Sequence, residues 1–163
     1  MARCPVVLRT SMRCGKSEMT SSLVCVDASI IVALVTAEAQ SARALALWAE
    51  WMRGDVQVIA PPLLRYEVTS ALRRKVVRGV MSLPDARRAL EEALSLDIKL
   101  LDPPELSLRA FDLAARFNLP AAYDAHYLAL AEMLNAEFWT ADEKLYNAVR
   151  EDFPNIHWLG GYH

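Results

Sequence analysis

Leu23-Val24-Cys25-Val26-Asp27 is the stretch on which the fold turns. Four apolar residues in a row, too few for a helix, read as a short buried strand. The run stops on an acid, so Asp27 falls at a strand C-terminal end. Phe138-Trp139-Thr140-Ala141-Asp142 repeats the arrangement late in the chain. In open α/β sheets, ligands bind outside the C-terminal ends of strands, where the strand order reverses.

Between and beyond these runs, strand and helix signals alternate. Strands are predicted at 23–27, 56–59, 97–101, 136–140 and 156–159. Helices are predicted at 28–36, at 41–53 with Ser41 as a cap, and at 62–78, opened by Pro62 and ended by Gly79. Further helices are predicted at 84–95, with Ser82 and Asp85 as a capping pair, and at 106–117, 123–135 and 142–149. This order gives an α/β fold: a mostly parallel central sheet flanked by helices, in a single domain over residues 23–163. Residues 1–22 read as an extension outside the fold, and Met19 is a second candidate for the biological start.

Composition narrows the class. The chain has 163 residues, 54% of them hydrophobic and 23% charged, with a formal net charge of −2. That suits one domain with one core, and it argues against holding duplex DNA by bulk charge. Three cysteines, Cys4, Cys14 and Cys25, form no C-x-x-C pair. A disulfide framework or zinc site is not expected, and a reducing, cytoplasmic setting fits. No apolar run approaches the roughly 18 residues of a membrane span.

Two more acids stand where apolar residues are expected. Glu67 interrupts the stripe Leu64, Val68, Ala71, Leu72, and Asp124 heads the stripe Tyr127, Leu128, Ala131. Right-handed crossovers bring both helices toward the rim that carries Asp27 and Asp142. Taken singly, Asp27, Asp124 and Asp142 also fit helix caps or dipole partners. Glu67, in mid-helix, has no such role. Four carboxylates with no matching Arg or Lys call for a cation, and hard Mg²⁺ or Mn²⁺ prefers oxygen ligands. Downstream of Glu67, Arg73, Arg74, Lys75 and Arg78 are candidate contacts for a nucleic-acid backbone, or else a solvated helix face. Arg87 and Arg88 are expected to pair with Glu91 and Glu92. His126 reads as a polar edge residue, and Trp48, Trp51, Tyr123 and Tyr127 as packing residues.

Together, Asp27-Ala28-Ser29, Arg65-Tyr66-Glu67-Val68-Thr69-Ser70-Ala71-Leu72, Tyr123-Asp124-Ala125-His126-Tyr127-Leu128-Ala129-Leu130-Ala131 and Thr140-Ala141-Asp142 resemble the PIN domain, and within it the VapC-type toxin ribonucleases. The resemblance runs from about Leu23 to Leu159 and is most specific around Asp124. It implies a Mg²⁺- or Mn²⁺-dependent endoribonuclease with Asp27, Glu67, Asp124 and Asp142 as catalytic and metal-holding acids. Ser29 and Thr140 match supporting hydroxyl positions. It also implies an RNA substrate, a small cognate antitoxin that blocks the pocket, and a homodimer.

Other readings of the residues compete with it. A phosphohydrolase of the haloacid-dehalogenase kind wants a second Asp where Ser29 stands, and a receiver domain wants an acidic pair near its first strand. A noncatalytic module that binds RNA or protein would have lost an acid, and none is missing. No phosphate-binding G-x-x-x-x-G-K-[ST] loop or G-x-G-x-x-G fingerprint occurs.

Overall fold

The computed structural model describes residues 22–163. The expected extension, apart from Ser22, and with it Cys4, Cys14 and Met19, lies outside the described residues. The described chain runs β1 (Leu23–Val26), α1 (Ala28–Val35), α2 (Ser41–Arg53), β2 (Gln57–Ala60), α3 (Leu63–Val77), α4 (Leu83–Ser95), β3 (Lys99–Leu100), α5 (Leu106–Arg116), α6 (Tyr123–Leu134), β4 (Glu137–Thr140), α7 (Glu143–Val149) and β5 (Ile156–Trp158). A short 3₁₀ turn, Leu159–Gly161, follows.

All strand pairs are parallel, in the order β3-β2-β1-β4-β5. β1 sits at the centre, and Val24, Cys25 and Val26 are buried on both faces, which explains the unbroken apolar run. β4 joins β1 on the side away from β2, pairing Val26 with Trp139. The strand order therefore reverses between β1 and β4, and the two ends carrying Asp27 and Thr140 lie side by side.

Helix α6 is sunk into the core. Ala125 and Tyr127 through Ala131 are 0% exposed, so this helix is apolar nearly all round. Its C-terminus feeds β4, which puts its N-terminus at the opposite, ligand-binding rim of the sheet. The N-termini of α1 and α7 follow β1 and β4 directly and open on the same rim.

Local chemistry sets the boundaries. Gly79, at φ 71°, closes α3: its own N–H donates to Val76 O, and the Val80 N–H donates to Lys75 O. Asn135, at φ 50°, ends α6 in the same way. Ser82 caps α4 by accepting from the Asp85 N–H.

Four expectations are corrected. Ser41 does not cap α2; Gln40 holds that position without a side-chain bond, and the Ser41 hydroxyl bridges the preceding loop between the Glu38 N–H and the Thr36 carbonyl. β2 begins one residue late because the Val56 N–H is taken by Trp51 O, 3.0 Å away. β3 shrinks to two residues at the sheet edge, where a tight turn from Leu96 to Ile98 uses up its expected start. Arg87 pairs with Glu91 as expected, but Arg88 turns back to Asp85 rather than on to Glu92.

Candidate active site

Asp27 is the most constrained acid. It is 5% exposed and caps α1, accepting from the N–H groups of Ser29 and Ile30 at 3.0 and 3.2 Å. Its Oδ1 also accepts from Ser29 Oγ at 2.5 Å, and its Oδ2 from Thr140 Oγ1 at 2.6 Å. These hydroxyls are themselves fixed. Ser29 Oγ accepts from the Ala141 N–H, and Thr140 Oγ1 accepts from the Asp142 N–H. One hydrogen-bonded ring thus ties the ends of β1 and β4 together. Even so, burial outweighs these bonds and, with the charge of Asp124, pushes the Asp27 pKa up to about 6.

The other acids approach from three helices. Asp142 is exposed and caps α7, accepting from the Lys144 and Leu145 N–H groups. Asp124 occupies the first turn of α6. As a residue it is exposed, but its carboxyl is turned into the cleft. Burial there, then the charges of Glu67 and Asp142, raise its pKa. Glu67 is half-buried on the second turn of α3 and accepts from Tyr127 Oη at 2.5 Å.

All four acids, with Ser29, line one open cleft of ≈ 550 Å³. Glu38 adds a fifth acid, and Arg74 is the one basic residue among the lining side chains. Of the four candidate backbone contacts, only Arg74 faces this cleft. Lys75 is paired with Glu38, Arg73 lines an apolar groove against α4, and Arg78 is exposed at the end of α3. His126 stays out of the cleft, its Nδ1 donating to Ala122 O at 2.6 Å. Trp48 and Trp51 pack edge-on, as expected of packing residues. Tyr123 does not pack: it is 61% exposed on the helix end beside Glu67 and Arg74.

The donor set suits a hard divalent cation: carboxylate oxygens crowd one rim, and the sole lining base is exposed. The side chains are not closed into a cage, however. No three His, Cys, Asp or Glu residues among the described residues are gathered tightly enough to hold one ion as they stand. Mutual repulsion spreads like charges that no cation offsets.

Three features escaped the sequence reading. The Tyr127–Glu67 bond had a signal, since Tyr127 follows Asp124 by three residues on one helix face. Glu38 and Gln40 had none, because they reach the cleft from an irregular loop. Gln40 Oε1 is buried there without a hydrogen-bond partner among the described residues.

A family model described as PIN domain matches residues 24–151, a span that takes in all four acids. The chain belongs to the PIN-domain family. Ribonuclease VapC9 of Mycobacterium tuberculosis is 32% identical over 132 residues, covering 81% of this chain and 95% of that protein. Among solved structures, PAE2754 from Pyrobaculum aerophilum is 25% identical with a TM-score of 0.59, covering 79% of this chain and 86% of that one. A toxin–antitoxin complex from Klebsiella pneumoniae contains a chain of the same fold, at 19% identity and TM-score 0.58, covering 85% of this chain and 98% of that one. The five-stranded parallel sheet with its covering helices is this PIN fold, and the acids sit at its switch point.

Proposed function

We propose that this PIN-domain protein is a Mg²⁺- or Mn²⁺-dependent endoribonuclease, the toxin of a toxin–antitoxin pair. The observation that carries the reading is the gathering of Asp27, Glu67, Asp124 and Asp142 along one cleft at the C-terminal ends of parallel strands. Similarity to VapC9, which is named a ribonuclease, supports RNA as the substrate.

A bound divalent ion supplies charge neutralisation, an activated water and a stabilised leaving oxygen. The chain's own residues do the rest. Ser29 and Thr140 fix both oxygens of Asp27, so that carboxylate presents one orientation. Asp124 from α6, Glu67 from α3 and Asp142 from the start of α7 line the same cleft, close enough for Asp124 to feel the charges of both others. Arg74 reaches the rim and offers a bidentate partner to a backbone phosphate. The cleft is open to solvent, as a site that takes a strand or loop of RNA must be.

Partners follow from surface chemistry and from relatives. Leu45 and Met52 on α2, and Tyr66 and Val77 on α3, are exposed apolar residues flanking β2. To these residues we assign contacts with a second copy of the chain or with a small antitoxin. A chain of this fold occurs in the toxin–antitoxin complex from Klebsiella pneumoniae, which supports an antitoxin as partner. No helix among the described residues is long and apolar enough to cross a membrane, and the free buried thiol of Cys25 suits the reducing cytoplasm.

The test is cleavage of single-stranded or looped RNA by purified protein. Activity is expected with Mn²⁺ or Mg²⁺, and it is expected to vanish with chelator and in Asp27→Asn. Chelator-resistant cleavage, or full activity in the variant, contradicts the reading.

A further inference from the structure

Tyr127 is 0% exposed, and its ring is held by the core. It stacks on Phe138 of β4 with centroids 6.3 Å apart and planes 17° apart, and its backbone carbonyl accepts from Cys25 Sγ at 3.6 Å. Its hydroxyl has one hydrogen-bond partner among the described residues, Glu67 Oε2, at 2.5 Å. That bond joins α6 to α3 across 60 residues of sequence. Packing alone would be served by phenylalanine, since a buried phenol without an acceptor is costly.

Glu67 has no other hydrogen bond from a described residue, whereas Asp27 has four and Asp142 two. Left alone, a long glutamate beside Asp124 would swing away from the like charge. The phenol opposes that swing. It engages Oε2 and leaves Oε1 without a hydrogen-bond partner among the described residues, on a side chain that lines the cleft. Because Tyr127 and Asp124 lie three residues apart on one rigid helix, the same helix sets both the position of Asp124 and the aim of Glu67.

We propose that Tyr127 is a positioning residue that orients Glu67 for cation binding. The inference rests on the metal-site reading given under Proposed function. It assigns the phenol a role that acts only through Glu67 and so separates it from core packing.

The experiment is calorimetric titration of Mn²⁺ into the full chain, Tyr127→Phe, Glu67→Gln and the double variant, with thermal unfolding in chelator as a fold check. Phenylalanine keeps the stack on Phe138 and removes only the hydroxyl. Loss of such a supporting bond lowers metal affinity by roughly 10–100-fold, and that loss is expected in Tyr127→Phe. In the Glu67→Gln background the same change is expected to have no further effect. Equal losses in both backgrounds, or no loss in the single variant, overturn the proposal while leaving the metal site standing. Absence of Mn²⁺ binding by the unaltered protein overturns the site reading itself, and the proposal with it.

Discussion

Asp27→Asn is expected to stabilise the metal-free protein, and more so at neutral than at acid pH. Burial raises the Asp27 pKa from its ordinary 3.8 to about 6. At 1.36 kcal/mol per pKa unit, ionising this carboxyl costs about 3 kcal/mol more in the native state than in the unfolded chain. Below about pH 4 both states hold the proton, and the group adds no pH dependence. Between about pH 4 and pH 6 the unfolded chain releases its proton first, so native stability falls as pH rises. Above about pH 6 the full cost stands. Asparagine cannot ionise and lacks this slope. Its amide gives Thr140 a donor where the carboxylate offered an acceptor, but that loss is the same at every pH. The informative quantity is therefore the change in the Tm difference between the two proteins. Between pH 4.5 and pH 7.5 about 2 kcal/mol of that cost develops, which for a domain of this size corresponds to a change of about 4–8 °C. Circular dichroism melts of both proteins in chelator, at pH 4.5 and 7.5, measure it. A difference in Tm that stays constant between the two pH values would refute the claim that Asp27 is buried and strained by its charge.

Asp124→Asn is expected to raise the metal-free Tm by relieving repulsion from Glu67 and Asp142, and to shrink the stabilisation by Mn²⁺, which at 100 times Kd is about 2.7 kcal/mol; equal Mn²⁺ shifts in variant and parent would exclude Asp124 from the ion site. Thr140→Val keeps the β-branched shape but removes a donor to a buried carboxylate, so a loss of about 2 kcal/mol is expected in urea unfolding at pH 7. A variant as stable as the parent would show that the ring around Asp27 adds nothing. Arg74→Ala, in an Asp27→Asn background that prevents cleavage, is expected to weaken RNA binding and to lower the salt slope by about 0.7. Arg73→Ala, whose side chain faces the α4 groove, is expected to leave both unchanged. Light scattering at micromolar concentration is expected to give a homodimer, and a monomer there would remove that assignment.

The sheet and its rim were legible because burial on both faces forces a signature. Leu23–Val26 and the apolar α6 admit few other readings, and an acid at the end of each run stands out against them. Glu67 was legible for the same reason, as a charge inside an apolar stripe. What sequence did not convey is how each carboxylate is held. The ring through Ser29 and Thr140 joins residues 111 apart, and the bond from Tyr127 to Glu67 spans 60, distances at which no local pattern operates. Basic residues were the least legible. Arg73, Arg74, Lys75 and Arg78 are close in sequence, yet successive helical positions point in different directions: Arg74 lines the cleft, Lys75 pairs with Glu38, and Arg73 lines the α4 groove. β3 is shorter than its apolar pattern suggests because an edge strand pairs on one side only and begins where the turn from Leu96 to Ile98 ends.

The claim that four acids form a metal centre is tested most directly by anomalous diffraction from crystals grown with Mn²⁺. An anomalous peak is expected in the cleft, with carboxylate oxygens of Asp27 and at least two of Glu67, Asp124 and Asp142 around it, about 2.0–2.6 Å away where they bind directly and farther where one ordered water intervenes. A saturated crystal with no peak there, or with Mn²⁺ bound only elsewhere, would contradict the claim.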